Sequence, residues 1–122
     1  MAVAERQLRI REQAARTVSW AHGTLALSFG EIAAAVDADE RTVRRWRGKE
    51  VAPQARHQAS LEALDDLRHL VETVFETPAQ LAEWLDTPLK AFRGQSPAAM
   101  LRRGRVKDVV GVLATMESGA FV

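Results

Sequence analysis

Helix-start and helix-stop signals recur along the whole chain, and no stretch beyond a few residues has the apolar–polar alternation of a β-strand. Ser28 is followed three residues later by Glu31, a spacing that forms a capping box at the start of a helix. Asp39 can cap a further helix, and Thr77-Pro78 and Ser96-Pro97 each place a capping residue before a proline at the first helical position. The sequence therefore predicts an all-α fold.

The same signals, combined with apolar periodicity, predict where each helix lies. Helices are expected over residues 5–22, 28–36, 40–47, 56–76, from 78 to before 88, over 97–104 and over 106–117, with the longest at 56–76. In the first helix, Leu8, Ala15 and Val18 are expected to face a neighbouring helix. Pro53 marks a connector, which divides the chain into an N-terminal lobe, 1–52, and a C-terminal helical lobe, 53–122.

Charge is segregated along the chain although the formal net charge is only +1. Residues 40–56 carry six basic side chains against two acidic ones, a net charge of +4. Residues 61–86 carry seven acidic side chains against Arg68 alone, a net charge of −6, and residues 90–108 are basic again. Two basic segments therefore flank an acidic one. The charge of each segment, and not the net charge of the chain, is expected to govern which partners it attracts.

The sequence contains no sign of catalysis or of a bound cofactor. His22, His57 and His69 lack the i, i+4 spacing that would bring two imidazoles to one metal ion. Asp65 and Asp66 are adjacent and so point about 100° apart on a helix, whereas paired acid–base work needs convergent carboxylates. There is no glycine-rich phosphate loop. We expect neither enzyme activity, nor a metal, nor a cofactor.

The composition also bears on the cellular compartment. The chain has no cysteine, which fits the reducing cytoplasm and excludes disulfides and thiolate ligands. The first ten residues include Glu5, Arg6 and Arg9, and no later window is apolar enough for a membrane span. We therefore expect a cytoplasmic protein that makes no membrane contact.

The helix over residues 40–47 separates basic from apolar side chains. Arg41, Arg44 and Arg45 share one stripe by their i, i+3, i+4 spacing, while Val43 and Trp46 point almost oppositely. Packing on one side and long hydrogen-bond donors on the other are what a DNA-recognition helix needs, although a solvated helix face has the same pattern. The candidate DNA-binding residues are Arg41, Arg44, Arg45, Arg47 and Lys49.

The run 28–36, a short turn and the run 41–46 together resemble the helix-turn-helix of Xre-type and related bacterial regulators. The resemblance implies a small core of Ile32, Ala33, Val36, Thr42, Val43 and Trp46. It also implies base-reading roles for Arg41, Arg44 and Arg45. The turn at residues 37–39 lacks the glycine often present in such modules. A chain of this kind either binds operator DNA or keeps the module only as a fold.

The second half carries Trp84-Leu85 near Pro88, a glycine-containing loop at 91–94, Ser96-Pro97 with a short helix to Gly104, and a Gly-Ala-Phe tail at 119–121. From about residue 56 to 122 these features resemble the toxin-binding domain of Xre/MbcA/ParS-type antitoxins. That family usually has a Leu-Gly-Gly-like loop where this chain reads Ala-Phe-Arg-Gly.

This resemblance implies a type II antitoxin that neutralises a RES-domain, NAD-consuming toxin by covering its active site. It further implies a homodimer that represses its own operon by binding double-stranded operator DNA. Candidate toxin contacts are Arg93, Arg102, Arg105, Glu117, Phe121 and Val122. Phe121 offers an apolar anchor and the carboxylate of Val122 an anion, unless Phe121 folds back onto the last helix. Two alternatives stay open: a transcription regulator without a toxin, and a protein-binding adapter that has lost DNA binding.

Overall fold

The computed structural model describes residues 2–119 and contains, within them, seven α-helices and one short 3-10 helix. The predicted all-α fold is confirmed, because an isolated bridge between Leu89 and Gln95 is the sole strand-like pairing among these residues. In chain order the α-helices are α1 (Ala2–Thr24), α2 (Phe29–Val36), α3 (Glu40–Arg47), α4 (Ala55–Val74), α5 (Pro78–Leu85), α6 (Pro97–Arg102) and α7 (Val106–Glu117), with the 3-10 helix Lys90–Phe92 between α5 and α6.

The helix bounds follow the capping signals to within a few residues, and α6 ends at Arg102, two residues before its predicted end. The longest helix is α1, with 23 residues, so the prediction that the helix near residues 56–76 is longest was wrong. The Ala-, Arg-, Gln- and Glu-rich start of the chain has high helix propensity, which extends α1 to Ala2. The helix α4 ends at Val74 because Phe75 adopts an extended conformation before Thr77 caps α5.

The N-terminal half packs α1 and α2 against α3. Val43 and Trp46 on α3 are 0% and 1% exposed, as predicted from their side of the helix, and Ile32 of α2 is also fully buried. The prediction for Leu8 was wrong, since its side chain is 56% exposed. Residues 2–9 of α1 are exposed throughout, and the buried face of this helix begins at Ala14.

The C-terminal half is built on the long packing contact between α4 and α7. Leu64 and Leu67 of α4 and Val109 and Leu113 of α7 are almost completely buried there. The short helix α6 packs against α7 and also against α2 of the other half. The apolar faces of α4 and α7 are therefore the faces that form this core.

One hydrophobic core runs through both halves. Its buried residues include Trp46 of α3 as well as Leu64 of α4 and Leu113 of α7. The ring of Trp46 meets that of His57 of α4 edge to face, with centroids 5.1 Å apart. The division at residue 52 stays a prediction, while the apolar contacts continue across it. None of the helices described is both long and apolar enough to cross a membrane.

Candidate functional sites

The helix-turn-helix is fixed by caps at each of its ends. The Ser28 hydroxyl accepts a hydrogen bond from the Glu31 backbone N–H at 2.9 Å, and the Ser28 N–H donates to the Glu31 carboxylate at 2.9 Å, so the capping box is confirmed. In the turn, Asp37 adopts the left-handed conformation, with φ 57°. Aspartate tolerates this region better than most residues, which explains how the turn forms without glycine.

The start of α3 is held by Asp39. Its carboxylate accepts a hydrogen bond from the Thr42 backbone N–H at 2.8 Å, as the sequence predicts for an N-cap. Two hydrogen bonds from Thr42 lower the pKa of Asp39 from its usual value of 3.8. The larger effect comes from the backbone N–H and the smaller one from the side chain. The cap therefore carries a full negative charge at neutral pH, at the positive end of the α3 dipole.

All the predicted DNA-contacting side chains on and after α3 are exposed: Arg41, Arg44, Arg45, Arg47 and Lys49. The structure divides them into two stripes. The guanidinium carbons of Arg44 and Arg47 lie 4.6 and 5.2 Å from the centre of the Phe29 ring, and Arg44 is also 3.8 Å from the Glu40 carboxylate. Within residues 2–119, Arg41 and Arg45 take part in no salt bridge.

The end of α3 differs in one detail from a glycine-terminated helix. Gly48 follows the helix, but Lys49 is the residue in the left-handed region, with φ 61°. The Lys49 N–H donates to the Trp46 carbonyl at 3.0 Å, and the Glu50 N–H donates to the Arg45 carbonyl at 2.9 Å. These two bonds are those of a Schellman cap, which usually has glycine at the position of Lys49.

In the C-terminal half, two of the predicted toxin-contacting residues lie together. Arg93 and Arg105 line one recess of about 610 Å³ with Arg103. The Arg105 Nε donates to the Asp108 carboxylate at 2.7 Å, and Arg103 donates to the Gln95 side chain at 2.8 Å. Arg93 has a φ of 55° at the end of the 3-10 helix, where the antitoxin loop pattern expected from the sequence has glycine.

The other predicted toxin contacts do not join that recess. Arg102 lines a different groove and lies 3.8 Å from the carboxylate of Glu31 in α2. Glu117 is exposed at the end of α7. Phe121 and Val122 lie outside the described residues. The basic side chains that line the recess are therefore Arg93, Arg103 and Arg105, beside Asp108. The sequence did not separate Arg102 from them.

Two further titratable side chains, His57 and Asp65, lie on α4. No three histidine, aspartate or glutamate side chains among residues 2–119 are grouped so that they could hold a metal ion. The Asp65 carboxylate accepts a hydrogen bond from the Arg68 guanidinium at 2.9 Å and another from the side-chain amide of Gln13 at 3.0 Å. Because Gln13 lies on α1, this second bond links α4 to α1. His57 is buried, and neither of its ring nitrogens has a hydrogen-bond partner among the described residues.

The described residues thus define a small all-helical protein in which an exposed basic helix-turn-helix is packed against helices of the C-terminal half. The family pattern described as "Antitoxin Xre/MbcA/ParS C-terminal toxin-binding domain" matches residues 70–119. This match includes α5, α6, α7 and the basic recess.

Relatives of the whole chain lead to the same family. The chain is 31% identical over 110 residues to the mycobacterial cidal antitoxin MbcA of Mycobacterium tuberculosis, covering 88% of this chain and 95% of that protein, and equally to MbcA of Mycobacterium bovis. It is similar to one chain of the crystal structure of the M. tuberculosis MbcT–MbcA toxin–antitoxin complex, with a TM-score of 0.56 and 31% identity over 88% of this chain and 96% of that one. The chain belongs to the Xre/MbcA/ParS family of antitoxins.

Proposed function

We propose that this chain neutralises an NAD-consuming toxin of the RES-domain class and represses its own operon as a DNA-binding homodimer in the cytoplasm. The observation that carries the proposal is the similarity over 88% of the chain to one chain of a solved toxin–antitoxin complex. Because the similarity spans the helix-turn-helix as well as the C-terminal lobe, both activities are proposed for one chain. The chain itself performs no catalytic step and acts by binding.

The C-terminal lobe is the proposed toxin-binding surface. It is the part that matches a family described as toxin-binding, and within it the guanidinium groups of Arg93, Arg103 and Arg105 line one recess. Such a recess attracts carboxylates on a partner surface, since arginine pairs with them in a bidentate manner. The tail at residues 119–122 is proposed to cover the entrance of the toxin active site.

Toxin binding is tested with the purified chain and a RES-domain toxin, by following NAD consumption during titration of the antitoxin. We expect the unmodified chain to stop NAD consumption at a fixed stoichiometry. Removing residues 119–122 and, separately, replacing Arg93 by alanine are both expected to raise the concentration needed. Arg16→Ala, an exposed change of equal charge on α1, is the matched control. Full inhibition by both altered chains would refute this placement of the contact surface.

DNA binding is proposed for α3. Its exposed Arg41 and Arg45 are free to reach base edges or phosphates, while Val43 and Trp46 are buried and fix the helix to the body. Two copies related by a twofold axis would place two such helices on successive turns of a duplex. Because each phosphate contact releases counterions, affinity should fall steeply with salt.

The DNA proposal is tested by titrating a duplex from upstream of the coding sequence at two ionic strengths. Arg45→Ala is expected to weaken binding by about 1–3 kcal/mol if Arg45 pairs with a guanine, and to lower the salt slope by about one if it contacts a phosphate. Arg16→Ala again serves as the charge-matched control. Binding that is insensitive to salt, or equally weakened by both changes, would contradict a specific role for α3. A chain that binds the toxin but shows no DNA binding would be the protein-binding adapter.

A further inference from the structure

The aromatic ring of Phe29 lies between a histidine and two arginines. On one side it stacks with the His22 ring, with centroids 4.1 Å apart and planes at 17°. On its remaining surface lie the guanidinium groups of Arg44, at 4.6 Å, and Arg47, at 5.2 Å. Phe29, the first residue of α2, is 7% exposed, so these neighbours and the hydrophobic core to which Phe29 belongs together cover almost all of the ring.

Phe29 and His22 are each held in place by hydrogen bonds of their own or of neighbouring residues. Ser28 and Glu31 form the capping box that fixes the backbone of Phe29 at the first position of α2. The Nδ1 of His22 lies 2.8 Å from the carbonyl oxygen of Leu27, which fixes the orientation of the imidazole ring. The ring of Phe29 is therefore a rigid surface against which long, flexible side chains can be ordered.

Ordering matters for arginines because a free arginine side chain samples many rotamers and loses that freedom when it contacts DNA. A guanidinium over an aromatic face is attracted to the ring, and its edge N–H groups stay free to donate hydrogen bonds. Arg44 is 56% exposed at its side chain, so its donors remain accessible while its plane is held.

We propose that Phe29 is a positioning residue that pre-orders Arg44 and Arg47 for DNA contact, with His22 supporting its far face. The inference rests on the proposed DNA-binding function. It divides the basic face into an ordered stripe, Arg44 and Arg47, and a stripe at Arg41 and Arg45 that forms no salt bridge among the residues described. Phe29 acts through the two arginines and does not itself contact the duplex.

The test is a double-mutant cycle on the full-length chain, with DNA affinity as its measurement. Phe29→Leu keeps an apolar side chain and removes the aromatic face. We expect it to weaken DNA binding about five-fold, with the salt slope unchanged because every positive charge remains. In a chain that already carries Arg44→Ala and Arg47→Ala, the same Phe29→Leu change is expected to have no further effect.

Three further measurements distinguish positioning from a general structural effect. Phe29→Tyr, which keeps the ring, is expected to restore the DNA affinity. Phe75→Leu is the matched control, since Phe75 is a partly buried aromatic residue that packs against Trp84 in the other half, and it should leave DNA affinity unchanged. Toxin inhibition should be the same for Phe29→Leu as for the unmodified chain.

The stack is also visible without DNA. Ring currents should shift the Nε–H resonances of Arg44 and Arg47 upfield in the unmodified chain, and Phe29→Leu should abolish the shift. Equal losses from Phe29→Leu with and without the two arginines would overturn the inference alone, as would unshifted resonances. A lack of salt-dependent DNA binding by the unmodified chain would overturn the proposed DNA function and the inference together.

Discussion

Replacement of Leu113 by alanine tests whether the continuous core makes the two halves one cooperative unit. Leu113 of α7 is 0% exposed and belongs to the same core cluster as Trp46 of α3. The change removes three carbon atoms, worth about 0.8 kcal/mol each by transfer out of water, and leaves a cavity that the helices fill only in part. The expected loss of unfolding free energy is about 3 kcal/mol.

That loss converts into a measurable shift of the thermal midpoint. At about 2.1 cal/mol/K per residue, the unfolding entropy of 122 residues is about 0.26 kcal/mol/K, so a loss of about 3 kcal/mol lowers Tm by about 12 °C. If folding is cooperative across residue 52, the amides of α2 should also exchange faster in Leu113→Ala, by about 100-fold, although α2 lies far from Leu113 in sequence.

The assay is calorimetry combined with hydrogen exchange read by mass spectrometry. Lys107→Ala, an exposed change on the same helix, is the control and should alter stability by no more than about 0.5 kcal/mol. Two resolved transitions, of which Leu113→Ala moves only one while exchange in α2 stays unchanged, would refute the reasoning. That result would favour lobes that unfold independently at the predicted boundary.

Four smaller changes have directions set by local geometry. Ser28→Ala removes the α2 cap and should cost about 1 kcal/mol in chemical denaturation. Lys49→Gly relieves a left-handed φ of 61° and should stabilise the chain by about 0.5–1 kcal/mol. Arg93→Gly, at φ 55°, should also stabilise the free chain yet weaken toxin inhibition. If the stability of the free chain and its inhibition of the toxin both rose, Arg93 would not be a toxin contact. The Thr42 N–H lowers the pKa of Asp39 in the folded chain below 3.8. The unmodified chain should therefore be more stable than Asp39→Ala by its full margin above about pH 5, and this margin in unfolding free energy should shrink as acid protonates the folded carboxylate.

The elements that sequence predicts best are those specified by local signals. The bounds of α2, α3 and α7 depend on caps and periodicity within a few residues, and the structure agrees with the predictions for all three. The burial of Val43 and Trp46 follows from helical geometry alone. The face of Leu8 could not be obtained in this way, because periodicity indicates an apolar stripe without saying whether any neighbouring helix reaches it.

The contacts that sequence could not predict are those made between elements. The turn after the 3-10 helix is closed by the Leu89–Gln95 pairing, and two successive residues with positive φ, Arg93 and Gly94, complete it. No periodicity encodes such a turn, although Gly94 is a signal for a loop. Phe29 was likewise missed as a functional candidate, since its role depends on His22 and Arg44, which come from other helices.

Arg102 illustrates why neighbouring basic residues in sequence need not share a surface. The chain turns at Gly104, with φ 77°, and the side chains of Arg102 and Arg105 line two different grooves. Gly104 itself lies against α2, where an added Cβ would come within 3.4 Å of the Ala35 Cα, and Arg102 approaches Glu31, a member of the α2 capping box. The segment between α6 and α7 therefore contacts the helix-turn-helix directly. A substitution at Arg102 acts on the cap of α2 as well as on any bound toxin, so its effect on toxin inhibition measures a contact only if DNA affinity stays unchanged.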